Sequence, residues 1–237
     1  MEYLKFDFKR SIFLIITFIL MTVVGTLTHE LGHYSISKIL GYNASINYQS
    51  SSYWDNDFNK YLSDTYEKYE NEILNNTDFP GKEEYLEKVR KYETDTFWII
   101  LAGPLETILT GTIGLLLLFV FRKKYITPQK VHLIAWATIF ISLFWLRQVA
   151  NLFMAVMSLL ISGKPSQRGD EMRLANYLDI NIWTIQIITG LIGIGVLVIV
   201  LRLLPKAILL TFLISGLVGG ILGYYLWLIK FGPLIMP

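Results

Sequence analysis

The chain has 237 residues, a formal net charge of +2, and a composition that is 53% hydrophobic against 17% charged, with a mean hydropathy of +0.46. Soluble domains usually carry about 25% charged residues, so an ordinary soluble enzyme is excluded, and the small net charge with no basic, aromatic-interleaved patch speaks against nucleic acid as a partner. The absence of cysteine excludes disulfides, thiolate metal ligands and a cysteine nucleophile.

Residues 1–41 read as a first transmembrane helix. Lys5, Lys9 and Arg10 precede an apolar run from Ser11 to Val24, which continues as a more polar helix to Gly41. No small-residue cleavage site follows, so the segment is expected to remain as an uncleaved span. At its far end lies His29-Glu30-Leu31-Gly32-His33. The H-E-x-x-H spacing puts two imidazoles one turn apart on one helix face, where both can reach a single metal ion. Glu30 falls beside them, placed to act as general base on a water that the metal activates. Zinc is the expected occupant, since imidazole suits it and three protein ligands leave its catalytic position open. At 1.5 Å per residue the two histidines lie roughly 29 to 35 Å along the helix from Arg10, at or just inside the far face of a bilayer core about 30 Å thick.

Residues 42–54 are Ser/Asn-rich, with Ile46 and Tyr48 alternating with polar neighbours. This pattern fits a short membrane-associated β-hairpin as well as a plain loop. Residues 55–95 form a hydrophilic insert with 12 acidic and 6 basic side chains. Phe58, Tyr61, Leu62, Thr65, Tyr66, Tyr69 and Ile73 recur at helical spacing, and Tyr85, Leu86, Val89 and Tyr92 repeat the pattern after Asp78-Phe79-Pro80-Gly81. An extramembrane helical hairpin with one aromatic packing stripe is expected. The remaining bundle, 96–237, reads as four more spans: about 97–121, 131–161, 182–201 and 207–228. The fold class is thus an all-α polytopic membrane protein of about five transmembrane helices, carrying the hairpin and the helical insert.

Lys and Arg concentrate at the N-terminus, in the 122–130 loop and at Arg202 and Lys206. The positive-inside rule puts these ends in the cytoplasm, and therefore the His-Glu motif and the 162–182 loop together on the non-cytoplasmic side. Two histidines need a third ligand, and His132 lies by a cytoplasmic loop. The third ligand is expected to be a carboxylate, from Asp170, Glu171, Asp179, Glu106 or the acids of the insert. Asp170 opens a short helix, a position equally suited to an N-cap. Glu106 and Arg147, both within spans, are expected to form an ion pair, because intramembrane charges usually pair in the bundle interior.

Three places in order resemble the site-2 protease family of intramembrane zinc metalloproteases, as a divergent member: His29-Glu30-Leu31-Gly32-His33-Tyr34, Ala102-Gly103-Pro104-Leu105, and Gly169-Asp170-Glu171-Met172-Arg173-Leu174-Ala175. The 41–53 segment is similar to that family's membrane-lying β-hairpin, and the likeness covers about residues 20–180. The resemblance implies that His29, His33 and Asp170 hold zinc and that Glu30 is the catalytic acid/base. The chain departs from the better-studied branch: Asn151 stands 19 residues before Asp170 with no Leu-Asp-Gly, and Thr107 stands where an Asn is usual.

The function expected on these grounds is zinc-dependent hydrolysis of peptide bonds in membrane-embedded or membrane-anchored substrates within the lipid bilayer, with Asn151 or Arg147 assisting the oxyanion. Residues 44–53 offer an edge for an unwound substrate strand. Two rivals stand beside it: a catalytically silent membrane scaffold or processing partner, and a zinc peptidase trimming peptides at the interface. The richness in Asn, Ile, Lys and Tyr suggests an AT-rich genome and a bacterial cytoplasmic membrane. Oligomeric state and substrate identity leave no mark in the sequence.

Overall fold

The computed structural model describes residues 6–127, 130–164 and 169–237. Lys5 of the N-terminal basic group, Pro128 and Gln129, and residues 165–168 of the 162–182 loop lie outside the described residues.

The structure is mostly helical, with one two-stranded antiparallel sheet. Helix α1, Phe8–Ile39, starts where the Asp7 carboxylate accepts the Arg10 N–H at 3.0 Å, a side-chain N-cap. It ends before Gly41, whose φ of +93° lies in the left-handed region and turns the chain into strands β1, Asn43–Ile46, and β2, Ser51–Trp54. The turn between them is built by Asn47. Its side-chain oxygen accepts the backbone N–H groups of Gln49 (3.0 Å) and Ser50 (2.8 Å), while its own N–H donates to the Ser50 carbonyl, the local bonding that makes Asn a turn residue.

Helix α2, Asn56–Leu74, packs back on helix α3, Lys82–Tyr125, through the expected stripe. Phe58 stacks on Tyr92, Tyr69 on Phe79, and Lys88 lies 3.8 Å over the Tyr61 ring. Helix α3 runs unbroken for 44 residues through the boundary expected at 95, so the second arm of the insert and the second span are one rod. Between Gly81 and Gly103 no glycine or proline interrupts it, and a helix has no physical reason to stop merely because its outer residues turn apolar. The third apolar segment is divided: α4, Leu133–Ser142, is joined by a 3₁₀ turn at Leu143–Trp145 to α5, Leu146–Ser162. Short α6, Asp170–Tyr177, leads to α7, Thr184–Leu203, and α8, Lys206–Gly223. A π-helical stretch, Tyr224–Phe231, and α9, Gly232–Ile235, close the chain.

Among the described residues, five helical segments are long and apolar enough to cross a membrane, with mean hydropathies of 1.6 to 2.5. Their packing fixes their directions. Gly32 meets Ala102 while Leu14 and Leu118 share one cluster, so α1 and α3 are antiparallel. Gly111 packs on Trp145 and Gly114 on Ser142, and Gly190 on Leu152 and Gly193 on Trp145, so the next two neighbours alternate as well. Ser11 bonds Ser215 at 2.9 Å and Gly223 packs on Thr22, so α1 and α8 run parallel, as a first and a fifth crossing must.

Outward faces are apolar: Val120 is 70% exposed and Leu217 68%. The apolar core, including Leu14, Leu118, Ile139, Val200 and Phe212, occupies the end of the bundle away from His29. The hairpin sits at the opposite end, held at its turn by the C-terminal segment. Tyr48 N–H donates to the Met236 carbonyl at 3.1 Å, and Trp227 Nε1–H donates to the Tyr48 carbonyl at 3.0 Å.

Candidate metal centre

Helices α1 and α3 approach closely where their two motifs meet. A Cβ at Gly32 would lie 2.7 Å from the Ala102 carbonyl oxygen, and one at Gly103 would run into the ring nitrogens of His33 and His29. Only glycine at these two places lets the α3 backbone lie against the imidazoles. On α3, Ile99, Gly103 and Thr107 follow at intervals of four and form the face that α1 meets.

That face orients both histidines. His33 Nδ1 lies 2.6 Å from the Ile99 carbonyl oxygen, which can only accept, so Nδ1 carries the proton. His29 Nδ1 lies 3.0 Å from Thr107 Oγ1, and the Thr107 hydroxyl donates to the Gly103 carbonyl at 3.1 Å, so it accepts from His29. Both rings thus turn Nε2 inward, with the lone pair free. His29 is fully buried and His33 nearly so.

Asp170 completes the group. Its Oδ2 lies 3.0 Å from His29 Nε2 and 3.3 Å from His33 Nε2, and the two nitrogens are 3.2 Å apart. Among the described residues, this is the one cluster of three or more His, Asp or Glu whose ligand atoms lie within 4.8 Å of each other. Three inward acceptors at these distances repel one another, and a cation or an extra proton between them relieves that repulsion. Burial pushes the Asp170 carboxyl up, but its contacts with the two imidazoles outweigh this and hold it below the usual carboxylate range. The donor set and its spacing can hold a metal ion.

The N-cap alternative for Asp170 does not describe its position. Gly169 takes the cap of α6, Asp170 is the first helical residue, and no side-chain cap bond forms. The other carboxylates raised as third ligands lie outside the cluster. Glu171 is buried and accepts from Asn151 Nδ2 at 2.9 Å, with burial raising its pKa against that bond. Asp179 is exposed in a turn with φ +52°.

The expected Glu106–Arg147 ion pair is not formed. Glu106 Oε1 accepts from Thr110 Oγ1 at 2.9 Å, whereas Arg147 Nη2 faces Glu30 Oε1 at 3.6 Å. Depth along a span places two charges at similar heights but leaves the rotation of each helix open, and the rotation of α5 brings Arg147 to α1. The 3.6 Å separation is an ion pair, too long for a hydrogen bond. Among the described residues, none partners the buried Arg147 Nε.

Glu30, His33 and Asp170 open on a cavity of about 300 Å³, whose walls include Ser51 and Tyr53 of β2, Arg147 and Arg173. The hairpin register makes Ile46–Ser51 and Ala44–Tyr53 the pairs not bonded to each other, since Asn47 and Ser50 close the preceding bonded pair. The backbone N–H and C=O groups of Ser51 and Tyr53 therefore point away from β1, towards the cavity.

Sequence reasoning missed the Ile99 carbonyl, the bonding role of Thr107 and the presence of Arg173. The four-residue spacing of 99, 103 and 107 carried a signal for the first two, and the one-turn separation of Arg173 from Asp170 for the third. Compared with known protein families, with curated proteins and with solved structures, the chain matches none.

Proposed function

We propose that this protein is an integral membrane zinc endopeptidase, similar to the site-2 proteases, that hydrolyses peptide bonds in membrane-embedded or membrane-anchored substrates. The observation that carries the proposal is the convergence of His29 Nε2, His33 Nε2 and Asp170 Oδ2 beside Glu30, at the wall of an open cavity. Zinc fits the residues. A tetrahedral ion with bonds of about 2.0 to 2.1 Å separates its ligand atoms by about 3.3 Å, close to the 3.0, 3.2 and 3.3 Å seen here. His29, His33 and Asp170 would hold it. When bound, zinc supplies a Lewis acid that polarises a carbonyl and acidifies water.

The chain's own residues supply the rest. The Glu30 carboxylate takes a proton from the attacking water as its oxygen bonds to the peptide carbonyl carbon. Glu30 then passes the proton to the leaving nitrogen as the C–N bond breaks. Arg147, ion-paired to Glu30 and lining the same cavity, holds that carboxylate in place and offers N–H donors to the developing oxyanion. Asn151 is committed through its amide N–H to Glu171, and so serves as a support rather than a donor. A helical substrate must unwind to expose its backbone. The free edge of β2, with Ser51 and Tyr53 facing the cavity, can receive it as an added strand.

The five apolar helices and their apolar outer faces support insertion in a membrane. Arg122, Lys123 and Lys124 in the last turn of α3, and Arg202 and Lys206 flanking the α7–α8 turn, lie at the end opposite the site, which favours a site on the non-cytoplasmic side of a bacterial cytoplasmic membrane.

The test is zinc analysis and cleavage of a transmembrane substrate by purified protein in detergent. Wild type should bind one zinc per chain and cleave, chelation should stop cleavage, and Glu30→Gln should keep the zinc and lose cleavage. A Glu30→Gln variant that retains the cellular role would mark a scaffold, and cleavage of soluble peptides alone would mark an interface-trimming peptidase.

A further inference from the structure

We propose that the cavity selects substrates bearing a carboxylate within one or two residues of the scissile bond, and that Arg173 is the residue that reads it; this rests on the peptidase reading of the same site.

Two arginines line the cavity, on different helices: Arg147 of α5 and Arg173 of α6. Arg147 already has Glu30 as its counter-ion. Arg173 has no ion pair with any carboxylate among the described residues, and its side chain is exposed. With a divalent ion in place, the cavity wall is electropositive. The ion brings two positive charges and each arginine one, against one negative charge each from Glu30 and Asp170. An anion is the complement to such a wall. A guanidinium is suited to a carboxylate because its planar fork can donate two parallel hydrogen bonds.

The placement also fixes where the anion should lie. Arg173 follows Asp170 by one turn of α6, about 4.5 Å along the axis, and an extended arginine adds several ångströms. A substrate strand along β2 advances about 3.3 Å per residue. The guanidinium therefore reaches one or two residues from the bond held beside Glu30 and Asp170. The carboxylate can be an acidic side chain or a free C-terminus, and the chemistry recognised is the same.

The test uses the full chain, zinc-loaded in a non-ionic detergent and carrying Glu30→Gln, so that probes bind without being cut. The probes are acetylated nonapeptides: a neutral amide, versions with Glu one or two residues either side of the centre, versions with Lys at those places, and the neutral sequence ending in a free carboxylate. Calorimetry is expected to show at least one anionic probe bound about tenfold or more tightly than the neutral amide, and whether an internal-Glu or the free-terminus peptide wins identifies the source of the carboxylate. Arg173→Gln should abolish the preference, Arg173→Lys should keep part of it, and Arg173→Glu should turn it towards the Lys probes. Equal binding of neutral and anionic probes, or a preference that survives Arg173→Gln, overturns the proposal. If charge selection depends on Arg173 while the wild type cleaves nothing in a zinc-dependent manner, the anion site stands and the peptidase reading falls. Zinc-dependent cleavage with no discrimination by charge has the reverse meaning.

Discussion

The two ends of the bundle differ in what they bury: among the described residues, charged and amide side chains are buried at the histidine end alone. At the end away from the histidines, Leu14, Leu118, Ala135 and Ile139 are fully buried among apolar neighbours, and Trp136 and Phe212 stack 6.0 Å apart. At the other end His29, Glu30, His33, Gln148 and Glu171 are buried alongside Ile99, Ile100, Met172 and Leu174. Among the described residues, the buried oxygens and nitrogens without partners, on Glu106, Arg147, Gln148, Glu171 and Gln186, fall in this half. Each such atom costs about 1 to 3 kcal/mol. The site end is therefore held in shape by the rest of the bundle, through the close α1–α3 approach at Gly32 and Gly103 and through the hairpin clamp at Tyr48. The apolar end holds itself. Stability and chemistry should separate along the molecule, and substitutions can show whether they do.

The largest separation is expected at Asp170. Asp170→Ala removes one of three converging ligand atoms, so zinc content should fall below about a tenth of the wild type and cleavage to background, while helical circular dichroism and monodispersity stay unchanged. Full zinc occupancy in this variant would remove Asp170 from the site. Glu30→Gln comes next. It should leave zinc in place and lower kcat by about 10²- to 10⁴-fold, the usual range for a general base. Thr107→Val takes away the acceptor for His29 Nδ1–H without changing size. Zinc affinity should drop about 10- to 100-fold, and Thr107→Ser should restore it. Ser51→Pro removes one outward N–H from β2 without touching a bond to β1 and stands at a strand start, where proline is tolerated. It should raise KM about five- to tenfold with zinc unaltered. An unchanged KM would separate the hairpin edge from substrate binding.

What could be read from the sequence followed the range of the interactions. The His29–His33 pair is set by one helical turn and so is written in neighbouring residues, whereas the alternation of Ile46 and Tyr48 fitted a loop as well as the hairpin that formed, in which Tyr48 lies in the turn. The contact of Asp170 with His29 spans 141 positions, and no local pattern distinguishes that carboxylate from Glu171 or Asp179. It emerged by resemblance, and its geometry came from the fold. The partner of Arg147 was misplaced because hydrophobic spans declare depth but not azimuth, and Glu30 and Glu106 are both within reach by depth. The unbroken run of α3 escaped for a different reason. The polar-to-apolar change at residue 96 marks a change of surroundings, and the helix passes through it because its backbone bonds are indifferent to that change.

The smallest effect on chemistry should come from the apolar end, where the cost to the fold is greatest. Phe212 is buried against Phe18, Trp136 and Phe140, and Phe212→Ala leaves a cavity there that neighbouring rings only partly fill. A loss of about 3 to 5 kcal/mol is expected for such a truncation in a packed core, read as a lower thermal or denaturant midpoint. Below that midpoint, zinc affinity and kcat should match the wild type within about twofold, since substitutions at distant sites without shared partners act independently. A Phe212→Ala protein that stays folded but loses zinc would show that the two ends are coupled, and that the α1–α8 contact sets the azimuth of His29 as well as the stability of the bundle.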